Sequence, residues 1–329
     1  MASDLPIILF GYEGSVWTTK LRYYLDLRGI KYSLCIQPNR LPRPDLEELG
    51  IKYRRIPLMA IGRDVYCDSR LIFRKLEERF PEGALGSKMP EIRGIEYLLD
   101  NWTGDGGPFW RAAGTLPSTH PMIREKEWIE DRKEMTGGRF NPDTMDQTRP
   151  ESQAHIRMYL DMLETTWLAD EREWILGKEG PSLADIHAVF VFEWVFHDPK
   201  MEGAVPESVA SEVTHPKTFA WIHRFRTAWL SARLPDDQSL EKIGSEQAIN
   251  TILSSDWAED GGKVDETDAL GLKEGQEVEV WPLDSGMNHR DRGSLGKLST
   301  NEVMILIQPR SSKELRLHFP RHNFRVQAV

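Results

Sequence analysis

The chain has 329 residues, 40% of them hydrophobic, and a formal charge of −10. That length exceeds one ordinary domain, so two or three are expected, and the negative balance argues against nucleic acid as a partner of the whole chain. No apolar run reaches the ~18 residues of a membrane span, and Cys35 and Cys67 are too few for a disulfide scaffold or a cysteine-rich zinc site.

The N-terminus lacks the basic region and long apolar stretch of a signal peptide, so a reducing cytoplasm is the expected compartment. From Pro6 to about Phe80 the elements alternate. Pro6–Phe10 reads as a buried strand. Val16–Arg28 has apolar residues near helical spacing, with Gly29 as its stop. Ile30–Ile36 is strand-like, and Pro44–Leu49 is a short helix with proline in its first turn. Pro57–Ile61 and Val65–Cys67 are short strands around the turn Gly62-Arg63-Asp64, and Ser69–Phe80 is an amphipathic helix. This order predicts an α/β layer arrangement.

Pro81–Ser87 reads as a linker, and from about Glu91 to Ser254 the chain is mostly helical. The clearest patterns are Ile92–Trp102, Ser152–Leu168, Ser182–Phe196 and Lys217–Ala232; Thr136–Pro150, rich in Gly, Pro and Asp, reads as a loop. Ser254–Thr267 is a second, acidic linker. Beyond it Glu277–Trp281, Gly293–Leu298, Val303–Gln308 and Leu315–Phe319 alternate between turn signals, an all-β pattern for which a small SH3-like barrel is the guess.

Three local features bear on chemistry, each with a purely structural alternative. Ser15 follows Gly14 at the start of the first helix. It can cap that helix, or donate its hydroxyl to a thiolate beside the helix's positive end. Ile56-Pro57 opens a strand; a trans proline at a strand start is the plain reading, and a cis bond would present the backbone of Ile56 to a ligand. Asp68 and Ser69 begin a helix after a strand. They can be capping residues, or can take the ammonium and carboxylate of an α-amino-acid end.

In this order the segments resemble the glutathione transferase family. Trp174-Ile175-Leu176-Gly177 followed by Ser182-Leu183-Ala184-Asp185-Ile186 is similar to the family's folding motif, with Ser182 and Asp185 as a capping-box-like start to a central helix. Pro216 with Phe219-Ala220-Trp221-Ile222-His223-Arg224 is similar to its late helix. The resemblance covers about Pro6–Ala232 and does not extend to residues 269–329.

The resemblance implies a thioredoxin-like glutathione-binding domain over residues 1–84 and an all-helical second-substrate domain over 88–254, leaving residues 269–329 as a small β domain of unknown role. It implies that Ser15 stabilises the glutathione thiolate. Ile56, beside Pro57, would hold the cysteinyl part, Asp68 and Ser69 the γ-glutamyl end, and Arg43 the glycyl carboxylate, although Arg43 reads equally as a solvated loop arginine. A homodimer is typical of the family. The chain departs from the pattern at Val16, where proline often stands, and Trp17 and Thr18 supply no second thiol. The serine-cysteine-serine turn of the zeta-type isomerases is absent. Thr103–Pro108 interrupts a helix, and Trp102, Phe109 and Trp110 are either core or the apolar wall of a second-substrate pocket.

The favoured expectation is an enzyme that adds glutathione to a small electrophile, by conjugation or by addition–elimination isomerisation. The alternative is a non-catalytic scaffold whose β tail binds a protein partner. No metal site is expected: His318 and His322 have no third ligand in the pattern. Arg316, His318, Arg321, His322 and Arg325 form a basic group, read as a solvated face or as a contact for an anionic partner.

Overall fold

A computed structural model describes residues 5–170, 172–177, 179–233, 240–309 and 313–329. The N-terminal elements are β1 (Ile7–Gly11), α1 (Val16–Leu27), β2 (Tyr32–Ile36), α2 (Pro44–Glu48), β3 (Leu58–Ile61), β4 (Asp64–Cys67) and α3 (Ser69–Arg79). β1 pairs parallel with β2 and antiparallel with β3, and β3–β4 is a hairpin. Each expected element is present, within two residues at either end.

The helical part contains α4 (Pro90–Gly104), α5 (Pro108–Gly114), α6 (Lys126–Met135), α7 (Pro142–Thr165), α8 (Leu183–His197) and α9 (Pro216–Ala232). The break between α4 and α5 falls in the Thr103–Pro108 segment. The expected loop over Thr136–Pro150 is corrected: α7 starts at Pro142, capped by Asn141, and runs through Pro150. Proline at the first turn suits a helix start, and nine further residues before the burial-rich stretch hide the helical signal behind polar side chains. α8 is apolar on every side and buried, as a central helix must be. Its start is fixed by Asp185, whose carboxylate accepts from the Ser182 N–H (2.9 Å) and hydroxyl (2.6 Å), the Ile175 N–H (2.9 Å) and the Trp221 indole N–H (2.9 Å). The motif residues quoted from sequence therefore meet at one carboxylate.

Beyond α9 come β5 (Leu240–Ile243) and α10 (Ser245–Ser254), then β6 (Glu277–Pro282), β7 (Asp291–Leu298), β8 (Glu302–Ile307), β9 (Leu315–Pro320) and β10 (Phe324–Ala328). β5 lies in a stretch expected to be helical; it is a short strand that adds to β2 in parallel. The C-terminal strands form an antiparallel run, β10-β6-β7-β8-β9, with β9 alongside β4 in parallel. One ten-stranded sheet thus passes from the C-terminal strands into the N-terminal unit. The Ser254–Thr267 linker is pinned to the β3–β4 turn: the Arg63 N–H donates to the Asp256 carbonyl (3.1 Å), and the Ala258 N–H to the Asp64 carboxylate (2.6 Å).

Strand alternation explains why the two parts fuse. Ile7, Leu9, Met59, Ile61 and Tyr66 face α1, α3 and the helical part. Ile8, Phe10, Leu58, Ala60, Val65 and Cys67 point the other way, into a second core shared with α10 and β6–β10. Cys35 and Cys67 are buried free thiols; burial, with Asp45 nearby, pushes the Cys35 thiol up to about 12. Among the described residues no helix is long and apolar enough to cross a membrane.

The basic group of the tail is not a single face. Arg316 donates to the Glu259 carbonyl (2.6 Å) and lies over the Trp257 ring; Arg321 pairs with Asp268 (2.7 Å) and His322 with Asp105 (2.9 Å); Arg325 lies over Trp281. His318 is buried between Asp64 (2.8 Å) and Glu302 (2.7 Å). Glu259, Glu302 and His318 bring three ligand-type atoms within 4.8 Å of one another. Lys75 reaches both carboxylates (2.8 and 3.0 Å), as does Lys297 (3.3 and 2.9 Å), so the cluster is an internal ion network.

Candidate functional site

A cavity of about 440 Å³ opens where the N-terminal unit, the helical part and the C-terminal strands meet. It is lined by Ser15, Arg43, Ile56, Pro57, Asp68, Ser69, Phe109 and Trp110. Trp102 does not line it: its ring packs against Tyr159, Trp167 and Phe192 in the helical core.

Ser15 reaches the cavity through the turn after β1. Gly14 takes φ of +82°, a conformation cheap only for glycine. Ser15 then caps α1, its Oγ accepting from the Thr18 N–H at 3.3 Å. The side chain is buried at the cavity wall. This bond uses the hydroxyl as an acceptor and leaves its proton to donate, so capping and donation to a ligand are compatible at the same moment. Tyr12, a second hydroxyl at the turn after β1, also lines the cavity, but its oxygen accepts from Arg132 (3.4 Å).

Ile56-Pro57 is cis, as is Leu41-Pro42. Asp68 adopts φ of +73°, unusual for a residue with a side chain. Its carboxylate accepts from the Arg70 N–H (3.1 Å) at the start of α3, and Ser69 stands at the first position of that helix, buried and facing the cavity. The N-termini of α1 and α3 therefore both open onto one space, each bringing partial positive charge. Asp100 on α4 fixes their relation. Its carboxylate pairs with Lys20 of α1 (2.6 Å), with Arg70 of α3 (2.7 Å) and with His187 of α8 (3.1 Å). Burial works against the Asp100 charge, but Lys20, His187 and Arg70 override it and hold the carboxyl well below its ordinary range.

Arg43 is not a solvated loop residue: it is 2% exposed, with its guanidinium donating to the carbonyls of Pro38 (3.2 Å) and Arg54. Burial, helped by the nearby Arg54, pushes it down to about 10. Arg54 is equally buried and pairs with Asp131, which Arg132 also contacts (2.6 Å). Burial lowers the Arg54 pKa as well, against the pull of Asp131, and its Nε has no partner among the described residues. Arg54 and Arg132 thus share the Asp131 carboxylate at this end of the cavity, and Arg43 joins them through the Arg54 carbonyl. Arg54 and Arg132 escape the sequence reading. Arg54 leaves a trace, the Arg54-Arg55 pair directly before Ile56-Pro57; Arg132 arrives from α6 and leaves none.

The opposite side is apolar. Phe109 contacts the rings of Trp17 (5.0 Å), Trp110 (5.2 Å) and Trp194 (6.3 Å), with Trp128 and Phe140 further along the wall. Lys200 lies at the rim, its Nζ close to the space a side chain on Gly14 would take. The C-terminal strands contribute Asp284, Ser285 and Asn323. Asp284 engages Arg55 with both oxygens (2.9 Å each), and Arg55 also pairs with Asp68 (3.0 Å).

Residues 9–84 match the family model described as glutathione S-transferase, N-terminal domain. Residues 111–234 match that of a domain of unknown function (DUF7962). A GST-like protein of Pseudomonas syringae is similar over 100% of both chains, at 21% identity and a TM-score of 0.69, so the fold, C-terminal strands included, has a solved counterpart. A glutathione S-transferase of Rhodospirillum rubrum is 18% identical, covering 66% of this chain and 86% of its own, with a TM-score of 0.47. A maleylacetoacetate isomerase of Anaeromyxobacter dehalogenans is 19% identical, covering 72% and 94%, with a TM-score of 0.46. Residues 9–84 are therefore a glutathione S-transferase N-terminal domain, joined to a helical part and to C-terminal strands that extend its sheet.

Proposed function

We propose that this protein binds glutathione in the cavity, that Ser15 holds its sulfur as the thiolate, and that the thiolate attacks an electrophilic small molecule against the aromatic wall. The observation that carries this reading is the convergence on one cavity of Ser15, the Ile56-Pro57 segment, Asp68-Ser69 and Arg43. These groups match a tripeptide with an α-amino-acid end, a central thiol and a carboxylate end. Asp68, Ser69 and the start of α3 suit the first. The Ile56 backbone and Ser15 suit the second. The Arg43–Arg54–Arg132 cluster suits the third.

The energetics are adequate. A free thiol near pKa 8.5 is mostly protonated at neutral pH, and lowering it by two units needs about 2.7 kcal/mol. A hydrogen bond to a charged acceptor contributes ~1.5–3 kcal/mol, and the α1 N-terminus adds ~0.3–1 kcal/mol. The sulfur lone pair then forms the new bond to the electrophilic carbon. In conjugation the leaving group departs or the carbon framework is protonated; in isomerisation the sulfur is expelled again after rotation about the bond it saturated. The protein supplies proximity and a stabilised nucleophile.

The scaffold alternative rests on the extra C-terminal domain and the altered turn after Ser15; the enzyme reading is preferred because that domain lines the same cavity through Asp284, Ser285 and Asn323. Calorimetric titration of glutathione tests the enzyme reading. The wild type should bind, Ser15→Ala should bind with similar affinity, and only the wild type should turn over a panel of electrophiles. Absence of binding at millimolar glutathione would sink the proposal.

A further inference from the structure

We propose that Asp284, carried by the loop between β6 and β7, recognises the ligand's α-ammonium group, so that the C-terminal strands complete the site of the N-terminal domain. The assignment rests on the glutathione reading above. Asp284 lines the cavity with Ser285 and Asn323, beside Asp68 and Ser69. Its loop is held from both directions. The Leu283 N–H donates to the Asn323 carbonyl (2.9 Å), and the Gly286 N–H to the Met135 carbonyl at the end of α6 (2.7 Å). Asn288 and His289 both reach Glu134 (3.0 and 3.3 Å). The carboxylate is therefore presented by a loop clasped to the helical part, with its side chain 29% exposed.

The charge balance at this end points to a cation. Arg55 is the guanidinium shared by Asp68 and Asp284, and the Tyr53 hydroxyl accepts from its Nε (3.0 Å). Arg70, the next cation, is taken up by Asp100 and Asp105. Two carboxylates against one guanidinium leave one negative charge for a ligand to neutralise. Asp68 already spends one oxygen on the Arg70 N–H and the other on Arg55. Asp284 spends both oxygens on a single Nη1, which leaves lone pairs on each for an ammonium donor. A zwitterionic end fits: its ammonium meets Asp284 and Asp68, and its carboxylate meets Ser69 and the start of α3.

The test compares glutathione with glutaryl-cysteinyl-glycine, which lacks only the amino group, in calorimetric titrations of the wild type, Asp284→Asn and Asp284→Glu. A hydrogen bond to a charged group predicts that Asp284→Asn weakens glutathione binding ~10-fold or more. It should leave the amine-free analogue within ~2-fold, and Asp284→Glu should recover part of the loss. Equal loss for both ligands would overturn the assignment, since Asp284 would then act by positioning Arg55; so would unchanged glutathione affinity in Asp284→Asn. A wild type that binds neither ligand overturns the glutathione reading and this assignment with it. Thermal melting of each variant shows that the comparison is made between folded proteins.

Discussion

Replacing His318 by leucine tests how the C-terminal strands are held to the N-terminal sheet. The imidazole is 1% exposed on β9, with its two nitrogens 2.8 Å from Asp64 on β4 and 2.7 Å from Glu302 on β8. Burial alone would lower its pKa, but the hydrogen bonds and charges of Asp64 and Glu302 override this and hold it above the ordinary histidine value. Breaking a buried ion pair costs ~3–5 kcal/mol. Here the lower end applies, about 3 kcal/mol, because both carboxylates keep other partners. Asp64 retains the Ala258 N–H, and Glu302 retains Lys75 and Lys297. The sign of the pH dependence follows from the raised pKa. The stabilisation is fully present below the unfolded value of about 6.5 and fades as pH rises through the folded value. Urea denaturation of wild type and His318→Leu at pH 6 and pH 9 reads both effects. The difference should be largest at pH 6 and smaller at pH 9. A difference under ~1 kcal/mol at pH 6, or one that does not change with pH, would refute the reasoning.

Asp185→Ala should be among the most destabilising single changes. It strands the Ser182 and Ile175 N–H groups and the Trp221 indole N–H in the core, at ~1–3 kcal/mol each, and a thermal melt should show a loss of ten degrees or more on the order expected for such a change. Arg54→Met should weaken glutathione ~10-fold or more while sparing an analogue without the glycyl carboxylate, measured by the same titration. Phe109→Ala should raise KM for an apolar electrophile with little change in glutathione affinity, because its ring packs with Trp17, Trp110 and Trp194 on the wall away from the arginines; steady-state kinetics with both substrates varied separates the two.

The features legible in the sequence are local ones. The β1–turn–α1 segment with Ser15, the strand-opening Ile56-Pro57 and the Asp68-Ser69 helix start each declare themselves within a few residues, because caps, turns and short periodic runs are set by neighbours in the chain. Asp185 was legible for the same reason on its Ser182 side. Its bonds to Ile175 and Trp221 depend on the packed core. What stayed hidden depends on contacts between distant segments. Alternation in β6–β9 signals strands, but nothing in it tells that β9 will lie beside β4, 250 residues earlier on the order of chain separation that only packing resolves. Arg132 and Asp284 reach the cavity from α6 and the β6–β7 loop, and read in sequence as ordinary surface charges. The polar first half of α7 lacks an apolar stripe, and Pro150 argues locally against a helix that forms nonetheless.

The central claim is that Ser15 lowers the pKa of bound glutathione. The most direct measurement follows the ultraviolet thiolate band of the bound tripeptide against pH in wild type and Ser15→Ala. The account predicts a thiol pKa about two units below the free value of roughly 8.5 in the wild type, returning toward it in the variant with binding retained. The same pKa in both proteins, or a bound thiol that titrates as it does in water, would contradict it.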